Sequence, residues 1–118
     1  MSATDRAAED YLPLNPRVLS LMVVLLHGPA HGYSIKQSVE ARSNGRVTLD
    51  PGSLYRMISK LVDDRLIEET EEGREEGDDP RRRYYRLTEL GKAVAAAETG
   101  RLEQLVAHAR PRLGKATS

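Results

Sequence analysis

The spacing of apolar residues changes period twice within one stretch of this 118-residue chain, and few folds accommodate that. Leu54, Met57, Ile58, Leu61 and Val62 recur at i, i+3, i+4, i+7 and i+8, which is one stripe of an α-helix. After Ile67 the period falls towards two, and Leu66 to Glu72 and Arg81 to Thr88 read as strands. Between them, Gly73 to Pro80 is rich in glycine and acids and reads as a loop. The helical period then returns with Leu90, Val94, Ala97, Leu102, Leu105, Val106 and Ala109. This last helix is expected from Glu89 to about Ala109, capped by Thr88 and closed by Pro111. Helix, hairpin, helix is the order of a helical domain carrying a small β-wing.

The upstream half supplies the helices that such a domain needs. Residues 1–10 are small and charged without periodicity, so residues 1–13 are expected to form a flexible N-terminal arm. Asn15-Pro16 starts a helix, with Asn as cap and Pro at the first helical position. Val18, Leu19, Leu21, Met22, Leu25 and Leu26 make that helix apolar over more than half its circumference, which suits a core or a subunit interface. Gly28-Pro29 stops it. A second helix follows from about Tyr33 to Arg42, with Ile35 and Val39 inward, and Asn44-Gly45 ends it. Arg46 to Leu49 is expected to be a short strand in a link longer than a minimal helix-turn-helix allows. The fold class is therefore mainly α with a small β-hairpin. A winged helix-turn-helix is expected over residues 14–88, a C-terminal dimerisation helix over 89–110 and a disordered tail over 111–118.

The central helix offers chemistry on its outer face. Asp50 caps it and Pro51 opens it, at the one position where a missing amide costs nothing. Opposite the apolar stripe stand Ser53, Arg56, Ser59 and Lys60, with Tyr55 at the margin. Hydroxyls, a guanidinium, an ammonium and an aromatic ring on a short helix suit a DNA major groove. A solvated polar face on an ordinary core helix would look the same by spacing alone.

Net charge is zero, but it is polarised: residues 66–79 sum to −7 and residues 80–86 to +4. Arg81, Arg82 and Arg83 can thus serve phosphates or pair with Glu68 to Glu72 across the hairpin. Cysteine is absent, which excludes disulfides, thiolate nucleophiles and cysteine-ligated zinc. His27 and His31 are separated by Gly28-Pro29, so no metal site is expected, and no cofactor. No carboxylate pair or phosphate-cradling glycine loop occurs in a suitable context, so an enzyme is not expected. The longest apolar run, Leu19 to Leu26, is too short for a bilayer, and a cytoplasmic protein without membrane contact is expected.

Three blocks carry a resemblance. Gly28-Pro29-Ala30-His31-Gly32-Tyr33-Ser34-Ile35, Asp50-Pro51-Gly52-Ser53-Leu54-Tyr55 and Arg83-Tyr84-Tyr85-Arg86-Leu87-Thr88-Glu89-Leu90-Gly91 stand in order and at compatible spacing. With Leu66-Ile67 between the last two, they resemble the PadR family of bacterial transcriptional regulators. The resemblance implies a homodimer that represses transcription at a palindromic operator in double-stranded DNA; the leading reading adds a small-molecule effector acting through the cavity between subunits. It places Ser53, Tyr55 and Lys60 where the family contacts DNA, puts Arg56 on the same face, and matches Arg81, Arg82 and Arg83 to the family's wing, of which Arg82 and Arg83 are the expected DNA contacts. Leu21, Leu25, Leu90, Val94, Leu102, Leu105 and Val106 are the expected dimerisation residues. Members that stack planar drugs between subunits use a tryptophan, which this chain lacks. The alternative is a winged-helix protein-interaction module that uses its acidic hairpin and does not bind DNA.

Overall fold

Helices begin in this chain where a side chain can take the place of a missing backbone acceptor. In the computed structural model, which describes residues 2–114, α1 spans Ala3–Glu9, α2 Pro16–Leu26, α3 Gly32–Arg42, α4 Pro51–Asp63 and α5 Glu89–Leu113. Asn15 accepts the Arg17 amide at 2.8 Å, Asp50 the Ser53 amide at 3.1 Å and Thr88 the Gly91 amide at 2.9 Å. His31 caps α3 less conventionally, through Nδ1, which accepts the Ser34 amide at 3.3 Å.

Strands β1 (Ala30–His31), β2 (Ile67–Thr70) and β3 (Tyr84–Leu87) form one antiparallel sheet in the order β1-β3-β2. The register pairs His31 with Tyr84 on one side of β3, and Glu68 with Arg86 on the other. The helix–hairpin–helix order read from the periods is therefore present, and the molecule is mainly helical with a small sheet. Its core joins Leu21 and Met22 of α2, Ile35 and Val39 of α3, and Leu54, Ile58 and Leu61 of α4. Leu66, Ile67 and Val94 join it. Burying each such side chain contributes about 1.5–3 kcal/mol.

Four expectations about elements need correction. The N-terminal arm is helical from Ala3 to Glu9: Ser2 closes a capping box with Asp5, and Ala8 is buried where α1 packs along α5. Small alanines dock without a large apolar stripe, so periodicity gave no warning. The link between α3 and α4 holds no strand at Arg46 to Leu49, and the third strand of the sheet lies before α3, at Ala30–His31; Val47 and Leu49 pack inward from irregular backbone. Pro111 does not close α5, which runs on to Leu113. A proline in the last turn removes one hydrogen bond, and only two helical residues follow it. Residues 115–118 of the expected tail lie outside the described residues. Finally, alternation along the second strand, with Tyr85 and Leu87 inward, predicts an outward Tyr84, yet Tyr84 is buried too, because β3 is the central strand and the folded-back loop and His31 cover that ring.

Candidate nucleic-acid interface

The amphipathic pattern of α4 divides the helix as expected except at Val62, which ends the apolar stripe in solvent. Leu54, Ile58 and Leu61 are buried, whereas Tyr55, Arg56, Ser59 and Lys60 are exposed and Ser53 is half-buried. At about 100° per residue, Tyr55 lies on one flank of this face, Ser53 and Lys60 on the other, and Arg56 near its middle. A hydrogen-bond chain orders the first turn. Ser53 donates its hydroxyl to Asp50 Oδ1 at 2.6 Å, and Arg56 Nη2 donates to Ser53 Oγ at 3.2 Å. The Ser53 hydroxyl and amide hold the Asp50 carboxyl below the ordinary carboxylate range. Lys60 pairs with Asp64 at 3.1 Å with its side chain mostly in solvent. An exposed pair of that kind is worth about 0–1 kcal/mol, so a phosphate can displace the acid.

The wing is ordered around one guanidinium. Arg74 lies 5.4 Å from the Tyr84 ring centre and donates to the carbonyls of Asp79 and Arg82. Glu71 stands 3.0 Å from its Nε as an ion pair without hydrogen-bond alignment. Tyr84 donates its hydroxyl to Asp78 Oδ2 at 2.8 Å, which also accepts the Glu75 amide. Acids of the loop and of β2 then meet the arginines of the wing. Arg81 pairs with Asp79 at 3.4 Å, Arg82 with Asp78 at 3.5 Å and Arg83 with Glu69 at 3.0 Å. Arg86 bridges Glu68 and Glu72. Both readings of the arginines thus keep a physical basis: they are exposed, and they are paired.

Tyr55 and the wing arginines line one cleft of about 370 Å³. Ser53, Arg56 and Lys60 line a separate groove on the far flank of α4, so the expected contact residues flank the helix instead of clustering. The cleft adds a residue missing from the expected set. Tyr33, at the start of α3, is 64% exposed and faces the same space as Tyr55, which is 63% exposed. Its signal was in the sequence, because an exposed tyrosine directly after the helix-starting His31-Gly32 has no core to serve. His31 itself is structural. Its ring meets Tyr84 edge-on at 5.2 Å between centres. Burial, helped by the Arg82 charge and opposed by Asp78, lowers its pKa and favours the neutral ring whose Nδ1 caps α3.

The expected dimerisation residues separate into two groups. Leu21, Leu25 and Val94 are buried in the chain's own core, and Leu90 packs against it, so these are corrected to core positions. An apolar face wider than half a helix could serve either purpose, and α3, β3 and α5 cover it here. Leu102 is half-buried, while Leu105 and Val106 remain exposed on the distal half of α5. No group of three or more His, Asp or Glu side chains among the described residues is placed to hold a metal ion, and no described helix is long and apolar enough to cross a membrane.

Known proteins resemble this chain in sequence and in shape. A 37.1 kDa protein of transposon TN4556 from Streptomyces fradiae is 31% identical over 91 residues, which are 77% of this chain and 24% of that protein. Protein X of Lysinibacillus sphaericus is 30% identical over 73 residues, 62% of this chain and 65% of that one. The chain therefore spans less than two thirds of either relative. Among solved structures, RosR of H. salinarum superposes with a TM-score of 0.61 at 26% identity, covering 83% of this chain and 79% of that chain. A PadR-like transcription factor from Bacteroides fragilis gives 0.60 at 27%, covering 79% and 88%. A PadR family transcription regulator from Clostridium difficile shares the fold, with a TM-score of 0.67 at 21% identity over 85% of this chain and 100% of that one. The sequence pattern of the PadR-like transcriptional regulators matches residues 21–97, a family of regulators and not of enzymes, as the lack of a catalytic constellation in the sequence led us to expect. The chain belongs to the PadR-like family of transcriptional regulators.

Proposed function

We propose that this chain is a cytoplasmic, dimeric DNA-binding repressor that occupies a palindromic operator and is released by a small ligand. The observation that carries this reading is the exposed polar face of α4, flanked by a cleft that also holds the wing arginines. Phosphate contacts from Arg82, Arg83 and Lys60 would supply affinity, while Ser53, Tyr55 and Arg56 would meet base edges or the adjoining backbone. The exposed stripe of α5 supports a two-fold dimer, which would set two α4 helices roughly 34–36 Å apart, one turn of DNA.

Gel shift against the DNA upstream of the chain's own gene tests the proposal. Binding should weaken steeply with salt, and Lys60→Ala should lower the slope of log K against log salt by about 0.9 if it meets one phosphate. Salt-insensitive binding, or binding untouched by Arg56→Ala with Lys60→Ala, would sink it. The pairing of Arg81, Arg82 and Arg83 with acids favours a second reading, a protein-interaction module that presents an acidic hairpin to a basic partner. Selection from random DNA that enriches no sequence, together with a basic protein that co-purifies, would decide for it.

A further inference from the structure

Besides capping α3, the His31 ring borders the cleft that holds Tyr55 and the wing arginines. Its Nδ1 accepts the Ser34 amide at 3.3 Å, so the ring is neutral while this contact lasts, with its proton on Nε2. A proton on Nδ1 would set donor against donor, and the ring would have to turn off the amide. The rest of the helix start does not depend on the ring. The His31 amide donates to Ser34 Oγ at 3.2 Å, and that hydroxyl donates to the His31 carbonyl at 2.9 Å. The first turn of α3 therefore survives when the ring lets go.

The charges around the ring come from the wing. Arg81, Arg82 and Arg83 line the cleft with Asp79. Asp78 accepts the hydroxyl of Tyr84, whose ring meets His31 edge-on. Arg74 is engaged by the Tyr84 ring and by Glu71. The helices α3 and α4 add only the phenols of Tyr33 and Tyr55, and β3 that of Tyr85. In the free chain burial and the Arg82 charge hold the ring below the usual histidine value, against Asp78. Backbone hydrogen bonds from Glu75 and Arg81 keep Asp78 and Asp79 below the ordinary carboxylate range, so both stay ionised where a histidine titrates. Phosphates that enter the cleft would reverse the sign of this environment.

We infer that His31 is a proton-operated switch between α3 and the wing cleft: neutral, its ring caps α3; protonated, it leaves Ser34 and joins the cleft arginines as a further cation, so that DNA binding takes up a proton and tightens as pH falls. The effect on DNA rests on the DNA-binding reading above; the release of Ser34 on protonation does not. Reciprocity fixes the sign, because DNA that favours the protonated ring must bind better where the ring is protonated. The gain accrues between the pKa of the ring in the complex and its lower value in the free chain, and levels off below the latter.

Titration of the full chain by NMR, free and with the DNA upstream of its gene, tests both parts. The His31 ring and the Ser34 amide should move with a common midpoint, and that midpoint should lie about one pH unit higher in the complex. DNA affinity at constant salt should accordingly rise about tenfold between roughly pH 7.5 and 5.5. In His31→Asn the side-chain oxygen can still accept an amide but cannot titrate, and the rise should vanish. Should that variant fail to fold, the ring titration of the natural chain decides alone. A Ser34 amide that ignores the ring overturns the switch, and so does a rise that persists in folded His31→Asn. DNA bound with no upward move of the ring midpoint overturns the switch and leaves the repressor reading standing. A chain that binds no DNA at any pH defeats that reading and the pH effect together.

Discussion

A Cβ placed on Gly91 would lie 2.0 Å from the Leu66 carbonyl oxygen, closer than any side chain can approach backbone. That contact is where α5 crosses the end of α4, and Thr88 fastens the same crossing by donating its hydroxyl to the Arg65 carbonyl at 2.6 Å. Gly91→Ala must push the two backbones apart, and we expect a loss on the order of 3 kcal/mol, read as a lower urea midpoint. Arg65 poses the reverse case. It ends α4 at φ +62°, in the left-handed region, so that Leu66 can donate to the Leu61 carbonyl at 2.9 Å and Arg65 to Val62 at 3.0 Å. Left-handed backbone costs an L-residue roughly 1–2 kcal/mol, and glycine gives back about 0.5–1 kcal/mol through its freer unfolded chain. Arg65→Gly should therefore raise stability by up to about 1 kcal/mol; a lower melting temperature would contradict this. Glu98 is 1% exposed and accepts from Arg101 at 2.5 and 3.0 Å and from the Leu14 amide at 2.8 Å. The Arg101 hydrogen bonds lower its pKa against the opposing effect of burial. Its contribution to stability is therefore complete above the unfolded glutamate value of about 4.3 and fades as pH falls below it towards the lower folded value. The stability gap between the natural chain and Glu98→Gln should be widest near neutral pH and narrow below about pH 4, as urea titrations at several pH values would show.

The wing illustrates how far an element can be read before its partners are known. The loop between β2 and β3 was legible from Gly73 to Pro80, and the cap and stripe of α4 were legible residue by residue, because local chemistry fixes both. β1 was not legible, since two residues carry no periodic signal and Ala30–His31 becomes a strand only when Tyr84 and Tyr85 lie beside it. The same long-range pairing buries Tyr84 against His31 and Arg74, which alternation along β3 alone could not indicate. Of the candidate site, the α4 face was readable from spacing. The Arg83–Glu69 pair across the hairpin was also readable, whereas the pairing of Arg81 and Arg82 with Asp79 and Asp78 was not, because it depends on how the loop folds back. Those partners carry a consequence. The Arg83–Glu69 pair is exposed and holds back a cation for little stability. Glu69→Gln should leave the melting curve nearly unchanged and tighten DNA binding several-fold at low salt, with the gain vanishing as salt screens the charges. No gain in a low-salt gel shift would mean that Arg83 does not reach DNA.

At the scale of the whole molecule, α5 is longer than the domain beneath it. Twenty-five residues extend roughly 37 Å at 1.5 Å per residue, yet the buried positions Gly91, Val94, Ala95 and Glu98 all fall in its first half. The radius of gyration, 15.9 Å, exceeds the roughly 13.5 Å of a compact chain of this length, as a projecting helix requires. On the projecting half, Leu102, Leu105, Val106, Ala109 and Leu113 follow one stripe. Leu105 is 59%, Val106 46% and Leu113 67% exposed. Three large aliphatic side chains in water on one helix face are the mark of an interaction surface, and a second copy of the same helix is the complement we expect. Leu105→Glu with Val106→Glu should therefore yield a folded monomer, because both side chains are exposed and lie outside the chain's own core. Sedimentation would show half the natural mass, with an unchanged helical signal by circular dichroism. Operator affinity should then fall by about 10²–10⁴, the gain that linking two half-site contacts provides. A variant that stays dimeric would move the interface elsewhere on the surface. A monomer that keeps full affinity would mean that a single copy of α4 and its wing suffices to hold DNA.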